Sequence, residues 1–219
     1  LHDLVLPGIG NIRYAAAGSG PPIVLLHGLG GAHALWRLNI PALARSCTVY
    51  APDLPGHGES DKPRVPHTLD FGVGFTLAFL DALGLAKATL IGSSLGGLIA
   101  LAAAQRHPER VEALILASPA GLGRELAWPL RLASVPGIGI VLAALDTRIG
   151  PGLLPRLFHR PDKVDPEMLR EVSKMASAPE VSRTVFSALH EGVGLRGLKP
   201  SLVLLDGFRR LRCPTLVVW

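Results

Sequence analysis

The hexapeptide Gly92-Ser93-Ser94-Leu95-Gly96-Gly97 places two hydroxyls among glycines, and one of them has the spacing of a nucleophile. An apolar run, Ala88 to Ile91, precedes it, and a small-residue helical pattern, Leu98 to Gln105, follows. A chain that passes from strand to helix through so sharp a turn leaves no room for a Cβ two residues before or after the apex. Glycine is required at both places, and Gly92 and Gly96 supply it when Ser94 is the apex. With Ser93 at the apex the same places would hold Ile91 and Leu95, whose side chains would collide, so Ser93 is read as a pocket-lining residue. A serine hydroxyl presented in this way attacks a carbonyl carbon once a base takes its proton. The competing reading is a glycine-rich turn whose serines cap the helix.

Attack on a carbonyl puts negative charge on its oxygen, and a second motif has the means to hold that charge. His27-Gly28-Leu29-Gly30-Gly31 follows Ile23 to Leu26, an apolar run that reads as a buried strand. Two backbone N–H groups aimed at the oxyanion stabilise it, and losing one costs about 3–4 kcal/mol of barrier. Leu95, directly after the serine and at a helix N-terminus, supplies one donor, and Leu29 the other. His27 is expected to brace the loop through hydrogen bonds rather than act as a base, and Gly28 with the glycines after it to form a tight turn where backbone must approach something closely. His33, just past the glycines, is expected to line the mouth of the pocket. A third motif, Asp53-Leu54-Pro55-Gly56-His57-Gly58-Glu59-Ser60, follows the strand-like Thr48 to Ala51. Its Pro-Gly and His-Gly pairs mark a loop in which Asp53 bonds backbone amides and His57 is a solvated histidine.

In this order the three motifs resemble the α/β-hydrolase fold superfamily, and within it the esterase-like members that carry a helical cap. Gln105 to Val111 and Ala113 to Ala120 match that family's next helix end and strand. The resemblance implies an α/β fold with a mostly parallel central sheet flanked by helices. Residues 1–120 would form the first part of the core, 121–200 an inserted helical cap, and 201–219 the return to the core. It implies a serine hydrolase that cleaves a carboxylic ester or related acyl substrate with an apolar group, through an acyl-enzyme and without a cofactor. Carbon–carbon bond hydrolases and haloperoxidase-like members share this serine chemistry. Other proteins of the fold bind small molecules with little turnover. Serine at the apex separates the chain from the aspartate-nucleophile branches, the haloalkane dehalogenases and epoxide hydrolases. The family's catalytic acid and histidine follow the strand to which Cys213 to Trp219 corresponds. The sequence stops at Trp219, so neither is expected in it, and the chain reads as a piece of a longer protein whose last strands and helix are missing. Of the histidines present, His190 lies on a helical pattern that could bring it over Ser94. His107 suits a helix C-terminus, and His2, His67 and His159 sit in charged or proline-flanked loops.

The elements that must position these groups are legible in outline. Leu4 to Leu6 and Ile12 to Ala16 form a hairpin around Pro7 to Asn11. A helix runs from Leu69 to Leu83 and ends at Gly84, and a strand spans Val111 to Ala117. Leu126 to Leu145 is almost wholly apolar and suits a lid over the site. That stretch is long enough for a membrane span, but Pro129, Arg131, Pro136, Gly137 and Gly139 argue against one. Lys163 to Met175 reads as a solvated helix, Cys213 to Trp219 as a buried parallel strand, and Cys47 and Cys213 as buried thiols.

Composition narrows the partners. A hydrophobic content of 48% excludes a disordered chain. The net charge of +5 comes from scattered basic residues with few aromatics for stacking bases, which points away from nucleic acid and leaves a small-molecule substrate. No secretory signal precedes the first strand, so a cytoplasmic protein is expected.

Overall fold

The computed structural model describes residues 1–135, 137–138, 160 and 164–219. A seven-stranded sheet runs through the chain in the order β1-β2-β4-β3-β5-β6-β9. Strands β1 (His2–Leu6) and β2 (Gly10–Ala17) form the expected hairpin, and β2 continues antiparallel onto β4 (Thr48–Pro52). From there β4, β3 (Pro22–Leu26), β5 (Ala88–Ser93), β6 (Val111–Ala117) and β9 (Thr215–Val218) pair in parallel.

Strands buried on both faces need apolar side chains at every position, and β3 meets that demand. Val24 and Leu26 face one core with Leu90, Leu114, Leu116 and the helix residues Phe75 and Phe79. Ile23 and Leu25 face a second core with Val49, Ala51 and Ile91, closed by Trp36, Ile40 and Leu43. The short α1 (Ile40–Leu43) covers that second side. On the first side α2 (Leu69–Ala82) begins where the Thr68 hydroxyl accepts from the Phe71 amide at 3.1 Å. It ends before Gly84, which takes the left-handed φ of 68°. Beside it lies α3 (Leu95–Arg106), whose alanines and glycines let it sit close to the sheet.

Between β6 and β9 the chain leaves the sheet for α4 (Trp128–Ala133), α5 (Pro166–Ala176), α6 (Pro179–Gly192) and the small ribbon β7 (Val193–Gly194) and β8 (Gly197–Leu198). Of the apolar stretch Leu126 to Leu145, residues 136 and 139–145 lie outside the described residues. Its first part packs Leu126, Leu130 and Ala133 against Leu189, Val193 and Leu198. Helix α5 is capped by Asp165, whose carboxylate accepts from the Glu167 amide at 3.1 Å. It is not fully solvated as its charge suggests, because Met168 and Val172 are buried against Ala34 and Leu35. Arg37 fastens the same junction, reaching Asp165 at 2.8 Å and Glu167 at 2.7 Å. Among the described residues no helix is long and apolar enough to cross a membrane.

Two expectations of burial fail. Cys47 and Cys213 are free thiols of intermediate exposure, because each lies just outside its strand rather than within it. Strand β9 is parallel to β6, as expected, but all four of its residues are exposed. Its one neighbour is β6, so it forms the rim of the sheet, with Leu216 and Val218 half in solvent. An apolar strand edge with free N–H and C=O groups is a template for pairing with another chain. A chain of residues 1–219 is therefore expected to self-associate with rising concentration, and Val217→Lys to suppress this. Sedimentation velocity of the two proteins is the check, and indistinguishable profiles would contradict it.

Candidate active site

Ser94 occupies the turn between β5 and α3 with φ of 51° and ψ of −113°, a conformation that costs a non-glycine residue about 1–3 kcal/mol. Neighbours on three sides hold it there. The Ser94 amide donates to the Ala117 carbonyl at 3.2 Å, and its own carbonyl accepts from Leu98 and Ala120, both at 3.0 Å. The flanking glycines are required by backbone. A Cβ on Gly92 would strike the Gly96 carbonyl, and one on Gly96 would strike that of Leu26. The start of α3 therefore rests directly on the end of β3, and Ser94 is pushed up into solvent-accessible space.

That space is a cavity of about 370 Å³, whose wall includes Ser94, Leu95 and Leu29. Leu95 opens α3, so its N–H has no partner within the helix. Among the described residues neither the Leu95 nor the Leu29 amide donates to a protein acceptor. Gly28 lies beside the serine, where a Cβ would come 3.2 Å from Ser94 Cβ.

The loop that carries Leu29 is tied down from beneath. His27 is fully buried, its Nε2 accepting from the Leu54 amide at 2.9 Å and its Nδ1 donating to the Gly28 carbonyl at 2.8 Å. Burial pushes its pKa down, so the ring is neutral with its proton on Nδ1. Asp53, also fully buried, accepts from the His33 amide at 2.6 Å, His33 Nδ1 at 2.9 Å and the Glu59 amide at 2.7 Å. Burial works against the charged forms of both partners, but the hydrogen bond and charges across the pair outweigh it. His33 is thereby raised above its ordinary pKa and Asp53 lowered below its own.

Several expected placements change. His33 does not line the pocket mouth, because the Asp53 carboxylate draws its imidazole inward, away from the cavity wall. Ser93 is half-buried at the end of β5 and is likewise not in that wall, since successive residues of a strand point to opposite faces. His190 is exposed on α6, while Leu189 and Glu191 beside it reach the cavity. His159 lies outside the described residues.

His57 is not a solvated loop residue. The turn that bonds its amide to the Leu54 carbonyl at 2.9 Å folds the ring inward, edge-on to His27 with centroids 5.2 Å apart. It is 2% exposed, its Nδ1 is 3.2 Å from the Pro55 carbonyl, and burial drops its pKa to about 3. A base that weak takes no proton from serine at neutral pH. His57 and His67 both belong to the cavity wall, and sequence reasoning missed both. His67 stands edge-on to Phe71 at 5.4 Å, with a pKa lowered by burial. Nothing in a proline- and glycine-flanked histidine distinguishes an inward ring from a solvated one.

The sequence profile of the alpha/beta hydrolase fold matches residues 21–182, from the start of β3 into α6. The chain belongs to that family. It is 38% identical over 208 residues to the dihydrolipoyllysine-residue acetyltransferase component of the acetoin cleaving system of Pseudomonas putida, spanning 91% of this chain and 51% of that protein. It is 46% identical over 125 residues to the 2-hydroxymuconate semialdehyde hydrolase of Pseudomonas sp. strain CF600, spanning 55% of this chain and 44% of that one. The chain thus spans about half the length of these curated relatives. Among solved structures, the enol-lactonase of Burkholderia xenovorans LB400 superposes with a TM-score of 0.74 at 25% identity, covering 99% of this chain and 80% of that one. The proteins it resembles thus include a semialdehyde hydrolase and an enol-lactonase.

Two outcomes test this geometry. Gly96→Ala should cost about 3 kcal/mol or more in urea unfolding, because the collision is with backbone and no side chain can yield. The unfolded chain protonates His57 near pH 6.5 while the folded chain resists until about pH 3. Its contribution to stability is thus complete above pH 6.5 and drains as pH falls towards 3, by up to about 1.4 kcal/mol per pH unit. His57→Phe, which keeps a ring in place, should flatten the fall in urea midpoint between pH 7 and 5. An unchanged fall would contradict the burial of this imidazole.

Proposed function

We propose that the protein is a serine hydrolase of acyl substrates that carry an apolar group, with Ser94 as nucleophile. The observation that carries this reading is the strained Ser94 backbone on a glycine-locked turn, its side chain facing a cavity shared with two amides that have no protein acceptor. Backbone strain persists only where its surroundings enforce it, and here they also aim the hydroxyl at the cavity.

In the proposed reaction Ser94 Oγ attacks the substrate carbonyl carbon while a histidine takes the hydroxyl proton. The Leu29 and Leu95 amides hold the oxyanion of the tetrahedral intermediate. The same histidine returns the proton to the leaving group as its bond to the carbonyl carbon breaks. Water then repeats the sequence on the acyl-enzyme and frees the acid and Ser94. His27 takes no part in proton transfer, because both its nitrogens are engaged. The described part of residues 121–200 acts as the cap: Leu126 just before α4, Leu130 on α4 and Leu189 on α6 lie over the site, which excludes water and favours an apolar group. No cofactor is required, and the partner is a small molecule.

A second reading, hydrolysis of a carbon–carbon bond, is favoured by the 46% identity to a 2-hydroxymuconate semialdehyde hydrolase. It needs the same serine and the same two amides. The ratio of kcat/KM for p-nitrophenyl butyrate to that for 2-hydroxymuconate semialdehyde separates the two, a ratio above one favouring the ester. For whichever is turned over, Ser94→Ala should reduce kcat at least about a thousandfold while the circular dichroism spectrum stays unchanged. Retention of wild-type turnover by Ser94→Ala would sink the assignment.

A further inference from the structure

The loop that carries Leu29 has one long side chain, and the cap holds it. Between His27 and His33, each fastened from beneath, the chain reads Gly28-Leu29-Gly30-Gly31-Ala32. The Gly31 amide donates to the Gly28 carbonyl at 3.0 Å, and Gly30 takes a left-handed φ of 72°. The Leu29 N–H lies in the planar peptide between Gly28 and Leu29, so ψ of Gly28 and φ of Leu29 set its direction. Glycine leaves the first of these angles soft. The second depends on what grips the Leu29 side chain.

The grip comes from the cap. Leu29 is half-buried and packs against the cluster of Leu189 on α6, Val193 on β7 and Leu198 on β8. Val185, one turn before Leu189 on α6, joins the same cluster and lies over Gly30, where a Cβ would come 3.7 Å from its Cγ2. The helix is itself seated on the loop after β4. The Thr184 side chain fills the place of a Cβ on Gly56, and the Ser187 hydroxyl accepts from the His67 amide at 3.3 Å. Helix α6 therefore rests on both loops, and it presses the glycine-rich one from above.

We propose that the cap is a working part of the oxyanion hole. The cluster around Leu189 holds the Leu29 side chain, Val185 closes over Gly30, and together they aim the Leu29 N–H at the substrate oxygen. Val185 is thus a positioning residue: it touches no reacting atom and acts through the peptides beneath it. The role of that N–H rests on the serine-hydrolase reading, whereas the coupling of cap to loop is measurable without turnover. Misplacing a catalytic group by about 1 Å costs up to about a hundredfold in rate, so modest loosening of this loop shows in kcat.

Val185→Ala leaves Thr184 and Ser187 in place, so the helix stays seated. With p-nitrophenyl butyrate it should lower kcat about tenfold or more and leave KM within about twofold, because the donor acts in the transition state. Leu29→Ala, which keeps the N–H but removes its handle, should do the same. Val185→Ile, which keeps the branched face, should retain wild-type kcat. The second readout is the NMR order parameter of the Leu29 amide. It should stand at about 0.85 in the wild type and fall towards about 0.6 in both alanine variants, while that of Leu95 at the start of α3 stays unchanged. A general loss of stability would not single out one amide in this way. An unmoved Leu29 order parameter in both alanine variants, or full kcat beside a loosened amide, would overturn the proposal. Should the wild type hydrolyse no ester while the Leu29 amide loosens as expected, the nucleophile reading fails and the coupling of cap to loop stands.

Discussion

Burying a carboxylate costs several kcal/mol unless its lone pairs find donors, and Asp53 has found three. One oxygen takes both the amide and the imidazole of His33, the other the amide of Glu59. Two loops that would otherwise meet only at their ends become one piece. The loop after β3 carries Leu29, and the loop after β4 carries His57. His27 joins them a second time by accepting the Leu54 amide. With two fastenings on one side and the β5–α3 turn on the other, the Leu29 amide has little freedom relative to Ser94. Removing the Asp53 carboxylate would strip the acceptor from two amides and an imidazole at once, so the joint is stronger than its net energy suggests.

The strain at Ser94 is affordable only because the sheet beneath it is rigid. Strands β3, β5 and β6 are adjacent and parallel, β3 and β5 are largely buried, and β6 buries Val111, Leu114 and Leu116. Their C-terminal ends lie level, so the turn after each one opens on the same side of the sheet. The carbonyl of Ala117 at the end of β6 anchors the Ser94 amide, and the carbonyl of Leu26 at the end of β3 forbids a side chain on Gly96. The nucleophile is thus held by neighbours on either side of its own strand.

Much of this was legible in the residues because it depends on backbone. Glycines at two fixed offsets from Ser94 identify the turn, and runs such as Ile23 to Leu26 identify buried strands, since few other arrangements tolerate them. The hairpin and α2 emerge within two residues of their expected bounds. Side-chain direction was not legible. Nothing in the spacing of His33 and Asp53 shows that they meet, because the contact joins loops twenty residues apart. His57 and His67 turn inward for tertiary reasons that no local pattern encodes. The exposure of β9 likewise depends on what lies beside the strand, whereas its apolar sequence shows only that it is a strand.

Arg37 bridges two parts of the molecule that share no strand. It follows the turn in which His33 meets Asp53, and it grips Asp165 and Glu167 at the start of α5. All three side chains are at least partly exposed, so dissolved ions compete for the grip and weaken it as their concentration rises. What remains at high salt is the apolar contact of Met168 and Val172 with Ala34. Ionic strength thereby acts, from the protein surface, on the same stretch of backbone that leads from the Leu29 amide.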